Sequence, residues 1–310
     1  MGLSSSLLLG IDVGTSSCKA AVVDAASGAE LVHGSAATPW IRVPSGAEAD
    51  ADALFAAAAA AAREALERAP AGELAGIGVA SMAETGVLLD GAGEVLAPSI
   101  AWHDARGEGE AAAIATDLGR AAFEERSGLP ATPLCTLAKL RWLLGHHEPA
   151  RRARRWLNVS EWIVRRLGGR DVSELSLASR TGMLDLAEGA PYAEALASSA
   201  LPDDLLGEIV VAGTACGVTG GEALPGAKGA VLTVAGHDHP VAGVGVGVVA
   251  PATCSTPVAP PRRSCESRRR SGPPTYGAAS RPASPSAGMS ARTATRCSAP
   301  PGPGSRLARC

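Results

Sequence analysis

The chain of 310 residues is long enough for one large domain or two of ordinary size. Hydrophobic residues make up 46% of it and aromatic residues only 3%, so we expect a core built from Ala, Val and Leu. The formal net charge of −3 conceals an asymmetry: residues 251–310 hold ten Arg and one acidic residue, whereas residues 1–250 hold 30 acidic and 18 basic residues. Such an acidic body argues against nucleic acid as its partner.

The cysteines and the apolar segments indicate a protein of the reducing cytoplasm. Of the seven cysteines, Cys18, Cys135 and Cys216 fall within residues 1–250. They are widely spaced and form no CxxC pair, so neither a disulfide framework nor a zinc site is indicated. The first residues lack the charged and apolar regions of a secretory signal, and Gly, Pro or charge interrupts every apolar run before it reaches membrane-spanning length. We therefore expect a cytoplasmic protein with no membrane partner.

Taken in chain order, the predicted elements are strands first and then strands alternating with helices. Two apolar runs at residues 7–11 and 20–23 flank a polar turn, which predicts a β-hairpin. An Ala-rich stretch with Leu54, Ala58 and Leu66 at helical spacing predicts a helix before Pro70. The full set after the hairpin is a helix at 51–69, strands at 77–80, 87–89 and 230–234, a turn at 90–93, and helices at 108–118, 136–146 and 153–167. This order predicts a mixed α/β domain.

The composition changes abruptly at residue 251. Residues 251–310 contain eleven of the 22 prolines, many Ser and Arg, and almost no apolar side chains. A segment of this composition cannot bury enough surface to fold alone. We therefore divide the chain into a folded domain at 1–250 and a tail at 251–310 that is expected to be unstructured.

The first motif with chemical content is the predicted hairpin turn. A strand leads directly into Asp12, Gly14, Thr15 and Ser16, and Lys19 follows in the second strand. Backbone amides and hydroxyls in such a turn can hold a phosphate, and Gly14 allows close approach. Asp12 beside them is suited to Mg²⁺, usually through water. The alternative is an ordinary polar hairpin turn.

The second motif lies between a predicted strand and a Gly-rich segment, where Asp238 stands between His237 and His239. An Asp at the carboxyl end of a strand is well placed to accept the proton of a substrate hydroxyl during phosphoryl transfer. The alternative is a helix N-cap, because Asp238 followed by Pro240 opens a helix well. The two histidines can ligate metals, but without a third partner they are weak evidence for a metal site.

The third group comprises Glu84, Trp102, Asp104 and Arg106, which follow apolar runs that resemble strands. Carboxylates at strand ends suit hydrogen bonding to sugar hydroxyls, and Trp102 offers a flat apolar wall. A salt bridge between Asp104 and Arg106 is the alternative, and taken alone it is the favoured one.

Four stretches, in this order, resemble the FGGY family of carbohydrate kinases. They are LLLGIDVGTSSCKA, GVLLDGAGEVLAPSIAWHDARG, SGLPATPLCTLAKLRWLL with the later SLASRTGMLDL, and VAGHDHPVAGVGVG. Each motif alone is loose, but the four in sequence cover residues 5–250 and are specific. The resemblance implies a ribonuclease-H-like domain of the actin-like ATPase superfold, with a mixed sheet flanked by helices. It also implies ATP-dependent phosphorylation of a sugar or polyol, with ATP and Mg²⁺ bound in a cleft facing a second domain of the same type.

Carried over by position, the resemblance gives Asp12 the role of acting on Mg²⁺. It places Gly14, Thr15 and Ser16 on the ATP phosphates, with Lys19 contributing charge from the same hairpin.

On the substrate side, the resemblance aligns Asp238 with the catalytic base of the family. Glu84 and Asp104 fall where family members contact the sugar or polyol, next to the wall expected from Trp102. Ala83 stands where glycerol kinases have Arg, which argues against glycerol and leaves a xylulokinase-like or related activity. The expected partner is a small sugar or polyol, with homodimerisation left open.

The tail departs from the family pattern, in which a second domain supplies the adenine pocket and a further phosphate-binding turn. We hypothesise a frame shift, because the codons for residues 251–266 read one base earlier permit Gly-Asp-Val-Leu-Asp-Ser-x-Gly-Thr-Ala-Glu, which looks like the turn that opens that domain. The competing interpretation is a genuine basic tail that binds nucleic acid or anionic surfaces. As written, we expect the chain to have little or no kinase activity.

Two rival functions remain open at this point. A non-catalytic sugar-binding or regulatory module would use Glu84 and Asp104 without ATP, although the presence of Asp238 argues mildly against it. A nucleic-acid-binding protein would depend on the tail alone. Pentulose, hexulose, polyol and aldonate all suit a pocket with two carboxylates and a Trp.

Overall fold

The structure is a computed structural model that describes residues 6–248. Its strands are β1 (Ser6–Val13), β2 (Ser17–Asp24), β3 (Glu30–Ala37), β4 (Ile41–Val43), β5 (Gly46–Ala49), β6 (Glu73–Ser81), β7 (Gly86–Leu89), β8 (Ser99–Ile100), β9 (Arg155–Asn158), β10 (Val172–Glu174), β11 (Leu184–Asp185), β12 (Ala190–Pro191), β13 (Glu208–Val210), β14 (Ala215–Val218) and β15 (Val231–His237). Its helices are α1 (Ala51–Glu67), α2 (Glu108–Asp117), α3 (Arg120–Ser127), α4 (Thr136–His146), α5 (Val159–Arg166), α6 (Leu175–Ala178), α7 (Ala193–Ser198) and α8 (Asp238–Gly245), with a 3₁₀ helix at Glu148–Arg152.

A six-stranded mixed sheet in the order β14-β15-β6-β1-β2-β3 organises the fold. The three middle strands β15, β6 and β1 run parallel. The flanking strands β14, β2 and β3 are antiparallel to their neighbours. Because the carboxyl ends of parallel strands meet at one edge of a sheet, the segments that follow β1, β6 and β15 are brought together.

Helix α1 packs on this sheet through small side chains. Its N-cap is Asp50, whose carboxylate accepts a 2.8 Å hydrogen bond from the amide of Ala53. The helix lies so close to β3 that a Cβ at Gly34 would meet the carbonyl oxygen of Ala61 at 2.2 Å. The Ala-rich face expected from the sequence is therefore what allows this close approach. Its buried residues are Ala51, Leu54, Ala58, Ala59, Ala61, Ala62 and Ala65.

Two clusters of buried apolar side chains hold the fold together. The first is built mostly of Ala, Val and Leu and joins the six-stranded sheet to α1 and α5, as the composition predicted. The second lies among α2, α3, α4 and α7, and it includes the stacked rings of Phe123 and Tyr192, 6.3 Å between centroids.

Most of the predicted elements are confirmed, including the first hairpin, α1, α2, α4 and the strands that correspond to β6, β7 and β15. The helix predicted at 153–167 is wrong in its first part, since Arg155–Asn158 forms β9 and pairs with β7. The helix begins only at Val159, because Asn158 and Glu161 form a capping box at that point. The mixed α/β class is confirmed.

Within residues 6–248, no helix combines the length and the apolar character needed to cross a membrane. The predictions for residues 251–310, an unstructured tail or a frame-shift product, lie outside the described residues.

Candidate active site

The carboxyl ends of β1, β6 and β15 bring the predicted site segments to one edge of the sheet. Val13 of β1 is paired with Ser81 of β6, and Ser81 is paired with His237 of β15. The hairpin turn, the segment containing Glu84 and the segment containing Asp238 therefore leave the sheet side by side. This is the position at which ligands bind in open α/β sheets.

The carboxylate of Asp12 has the environment of a cation ligand. Its Oδ1 is buried and has no hydrogen-bond partner among the described residues. Burial raises the pKa of Asp12, and the charge of Asp238 raises it further, while Lys19 lowers it in part. Lys19 stands directly opposite Asp12 in the hairpin register. An unpartnered carboxylate oxygen, with a second carboxylate near enough for its charge to act on the first, fits the oxygen-ligand chemistry of Mg²⁺.

The carbonyl groups of the turn between β1 and β2 accept hydrogen bonds from other residues. The amide of Gly14 donates to the carbonyl oxygen of Ser17 at 3.1 Å, and the hydroxyl of Thr38 donates to the carbonyl oxygen of Gly14 at 2.7 Å. The carbonyl oxygen of Ser16 accepts the amide of Thr38 at 3.2 Å. In contrast, the amides of Thr15 and Ser16 make no backbone hydrogen bond within residues 6–248. A turn that is held in place by its carbonyl groups and keeps two backbone amides free is suited to binding a phosphate.

Asp238 is the first residue of α8 and lies beside two histidines. Its Oδ1 is 3.1 Å from Nε2 of His237 and accepts the amide of His239 at 2.8 Å. Burial raises the pKa of Asp238, but the hydrogen bond and charge of His237, together with His239, outweigh this and hold the pKa below its usual value. The N-cap of α8 is His237, without a side-chain cap, so Asp238 does not fill the capping role that the sequence left open. A carboxylate kept ionised is able to accept a proton.

A buried polar network supports the backbone just before Asp238. The amide of His237 donates to the hydroxyl of Ser176 at 3.0 Å, and that hydroxyl donates to Glu174 at 2.5 Å. The amide of Glu174 donates in turn to Glu161 at 2.7 Å. Burial raises the pKa of Glu161 to about 8, against the opposing effect of its hydrogen bonds. Gly236 has φ +113° and passes so close to this network that a Cβ would meet the Ser176 Oγ at 2.7 Å.

Trp102 forms part of an aromatic group beside the turn. Its indole N–H donates to the hydroxyl of Thr15 at 2.9 Å, and the indole N–H of Trp40 donates to the Thr15 carbonyl at 2.6 Å. The ring of His103 lies edge-on to both tryptophans, at 5.3 Å from Trp102 and 6.2 Å from Trp40 between centroids.

A buried lysine holds the loop that carries Trp102. The ammonium of Lys139 donates to the carbonyl oxygens of Trp102 at 3.0 Å, Pro133 at 2.6 Å and Leu134 at 3.3 Å. Burial lowers the pKa of Lys139 to about 8. Lys139 thus positions Trp102 through its backbone.

Glu84 follows β6 in a left-handed backbone conformation with φ +60°. Such a conformation is uncommon for a residue other than Gly and concentrates at functional sites. Its Oε1 accepts two hydrogen bonds from Arg180, at 2.7 Å from Nε and 2.6 Å from Nη2. Its other oxygen has no hydrogen bond to a described residue, so Glu84 keeps one acceptor for a ligand.

Asp104 does not have the open carboxylate that a sugar contact requires. Its side chain is 0% exposed. Oδ1 accepts the amide and Nε of Arg106, and Oδ2 accepts Nη2 of Arg106, the Ala47 amide and the Ser45 hydroxyl. The pKa of Asp104 is below its usual value because these hydrogen bonds outweigh burial. The ion pair that the sequence offered as the alternative is the one found, so a sugar contact by Asp104 is corrected to a structural role.

Sequence reasoning did not identify Trp40, Lys139, Arg180 or Ser176 as site residues. Each acts through a partner distant in sequence, and no local pattern marks such partners. A signal existed for Lys139, because a lysine within an otherwise apolar helix face requires buried acceptors.

The comparison with protein families matches residues 7–245 to the N-terminal domain of the FGGY family of carbohydrate kinases. The chain belongs to this family. It is 31% identical over 245 residues to a xylulose kinase of Streptomyces coelicolor, covering 78% of this chain and 50% of that protein. It is 33% identical over 241 residues to a glycerol kinase of Cereibacter sphaeroides, covering 75% of this chain and 49% of that protein. The chain therefore spans about half the length of these relatives.

Among solved structures, the crystal structure of xylulose kinase from Rhodospirillum rubrum matches with a TM-score of 0.73 and 27% identity, covering 79% of this chain and 51% of that one. This likeness confirms the ribonuclease-H-like, actin-like ATPase fold expected of an FGGY kinase domain.

Proposed function

We propose that the protein phosphorylates a hydroxyl of a small sugar or polyol with ATP, and that the substrate is a ketose of the xylulose type. The family membership of residues 7–245 supports a phosphotransferase with an alcohol acceptor. Xylulose, glycerol and gluconate kinases are all among the similar proteins. Ala83 stands in place of the Arg expected of a glycerol kinase, which favours a ketose over glycerol.

The observation that carries the proposal is the meeting of three functional groups at one sheet edge. Asp12 is the next-to-last residue of β1, Asp238 follows β15, and Trp102 is hydrogen-bonded to Thr15 in the turn between β1 and β2. A base, a phosphate-binding turn and an apolar wall for a sugar ring are the parts that phosphoryl transfer requires.

In this mechanism Asp238 accepts the proton of the attacking hydroxyl, and His237 fixes the direction of its carboxylate. The amides of Thr15 and Ser16 hold the phosphates. Asp12 would hold Mg²⁺, which would supply positive charge to screen the phosphates. Trp102 and Glu84 orient the sugar, the first by packing on its apolar face and the second through its free oxygen.

The test combines binding with product detection on the full chain. Calorimetry with xylulose, gluconate and glycerol is expected to show binding of the ketose. This binding should fall about tenfold in Trp102→Ala, since packing on an aromatic ring is worth about this much. Because the chain is expected to have little kinase activity as written, incubation with Mg–ATP and mass spectrometry is expected to detect only a small amount of sugar phosphate, and none with Asp238→Asn. If the chain binds none of the three compounds, the proposal is overturned.

The second candidate, a non-catalytic sugar-binding module, is favoured by one observation: Arg180 occupies only Oε1 of Glu84, so the other oxygen can accept a sugar hydroxyl without ATP. It predicts sugar binding of equal strength in the wild type and Asp238→Asn, with no sugar phosphate from either. The same experiment therefore separates the two functions.

A further inference from the structure

We propose that His237, Asp238 and His239 form a binding site for a divalent transition-metal ion of the zinc type, distinct from the Mg²⁺ role of Asp12. The sequence offered two histidines without a third ligand, and the structure supplies that ligand in Asp238. Its Oδ1 lies 3.1 Å from Nε2 of His237 and 3.9 Å from Nε2 of His239. A ligand atom from each residue falls within 4.8 Å of the others.

These separations are close to what a tetrahedral ion needs. Metal–ligand bonds of about 2.0–2.2 Å place the ligand atoms of such a site roughly 3.3 Å apart. The 3.1 Å pair already meets this distance, so an ion would replace the proton shared by His237 and Asp238. The third ligand needs only a small rotation of His239, whose side chain is 74% exposed and free to turn. Three protein ligands then leave the fourth position open.

The donor set selects the kind of ion. Imidazole nitrogens suit zinc, cobalt, nickel and copper, whereas Mg²⁺ prefers an octahedron of oxygens. Within residues 6–248 this is the one group of three or more His, Cys, Asp or Glu side chains close enough to share an ion. The three cysteines of the described segment are buried and lie elsewhere.

The surrounding charge also favours a cation. Asp12 and Asp238 are close enough for the charge of one to act on the other, and Lys19 offsets one of the two charges. The remaining negative charge exceeds the roughly half positive charge at the N-terminus of α8. The rings of His237 and His239 are stacked, with planes 29° apart and 5.0 Å between centroids, which keeps the two imidazoles on the same side of Asp238 as neighbours.

Such an ion would bind the carboxylate oxygen of Asp238 that accepts the proton in the proposed reaction. If the proposed function is correct, zinc therefore inhibits the enzyme, because the ion and the proton of the substrate hydroxyl compete for the same oxygen. The binding site itself does not depend on that function, because its ligands and geometry are independent of any sugar or nucleotide.

The test is titration of the metal-free full chain with Co²⁺, followed by visible absorption, and with Zn²⁺ by calorimetry. We expect one ion per chain with the spectrum of a nitrogen–oxygen site and no thiolate charge-transfer band. His239→Asn, at an exposed position, and His237→Asn should each weaken binding about tenfold or more, since even outer-shell partners of a metal are worth that much. The control His147→Asn should bind as the wild type does.

Absence of binding, a thiolate band, or affinity unchanged in His239→Asn would overturn the proposal. Circular dichroism of each variant shows that the fold is retained. A sugar-binding failure with intact Co²⁺ binding would reject the proposed function and leave the metal site standing.

Discussion

The indole N–H of Trp102 donates a 2.9 Å hydrogen bond to the hydroxyl oxygen of Thr15, across 87 positions of sequence. This bond links the wall proposed for the sugar to the turn proposed for the phosphates. Because Thr15 accepts here, its own hydroxyl proton stays available for a ligand. The carbonyl of the same residue is held by Trp40, so the turn is fixed from two sides.

Replacing Thr15 with Val should weaken sugar binding by about fivefold, the equivalent of one hydrogen bond of about 1 kcal/mol. The shape of the side chain is retained, but Trp102 loses its acceptor and its ring is no longer fixed. Calorimetry with the best sugar of the panel gives the affinity, and near-ultraviolet circular dichroism reports the Trp environment. Thr15→Ser keeps the hydroxyl and serves as the control; if it behaves like Val, the hydrogen bond is not the cause.

Replacing Lys139 with Met should lower the free energy of unfolding by about 1–3 kcal/mol, because the three carbonyl oxygens that the ammonium contacts lose their donor inside the protein. The Trp102 loop loosens as a result, so the tryptophan emission spectrum should shift along with the loss of stability. Urea unfolding measures the first effect. Lys228→Met, at an exposed lysine, should change neither, and an unchanged emission spectrum in Lys139→Met would contradict the positioning role.

Replacing Gly236 with Ala should destabilise the chain by about 1–3 kcal/mol, since φ is +113° and the new Cβ would lie 2.7 Å from the Ser176 Oγ. The same strain displaces the start of α8 and with it Asp238. Urea unfolding of Gly213→Ala is the matched control, because that residue also has a positive φ but has no atom within 4 Å of an added Cβ. Equal losses in both variants would assign the whole effect to backbone strain.

Replacing Asp12 with Asn should stabilise the ligand-free chain by roughly 0.5–1 kcal/mol while abolishing Mg–ATP binding, the pattern expected of a residue placed for function. Burial and Asp238 raise the pKa of Asp12, so its ionised form is disfavoured in the folded state. Stability from this group is full below its unfolded pKa and is lost as the pH rises through the folded value. Urea unfolding at several pH values should therefore show a flatter profile for Asp12→Asn, and a less stable variant would contradict the argument.

The raised pKa of Glu161 predicts a second pH dependence of the free energy of unfolding, with the same sign as that of Asp12. Its pKa is raised from 4.5 to about 8, so the folded state binds a proton that the unfolded chain has released between these values. The free energy of unfolding should then fall as the pH rises from 4.5 to about 8. Unfolding of Glu161→Gln should show less of this slope, whereas Glu73→Gln, at the exposed start of β6, should retain all of it.

The parts of the site that could be predicted from sequence are those defined by neighbours in the chain. The turn after β1 and the segment around Asp238 each contain their strand, their polar residues and their glycine within about ten positions. The spacing of Asn158 and Glu161 is also that of a capping box, so the sequence contains a local signal for the true start of α5 at Val159. Local patterns thus predicted the strands that lead into these two segments.

The partners of these residues could not be predicted in the same way. Arg180 meets Glu84 across 96 positions and Ser176 meets His237 across 61, and neither pair shares an element or a periodicity. Asp104 illustrates the opposite error, because a carboxylate near a Trp suggested a ligand contact, whereas Ala47 of β5 and Ser45 just before that strand donate hydrogen bonds to it. The sequence does not distinguish a carboxylate whose oxygens already accept hydrogen bonds within the protein from one that is free to bind a ligand.

The central sheet has a consequence for how this protein is made. β15 covers one edge of β6, yet 149 residues lie between Ser81 and Val231, and a ribosome adds about 5–20 residues per second. Synthesis of this segment takes on the order of ten seconds. During that time the edge of β6 that β15 will cover is unpaired, and an unpaired strand edge can pair with other chains. Asp238, the proposed base, follows β15 in the chain and emerges after that strand. A nascent chain arrested before this point is therefore expected to be prone to aggregation and to lack the residue proposed as its base.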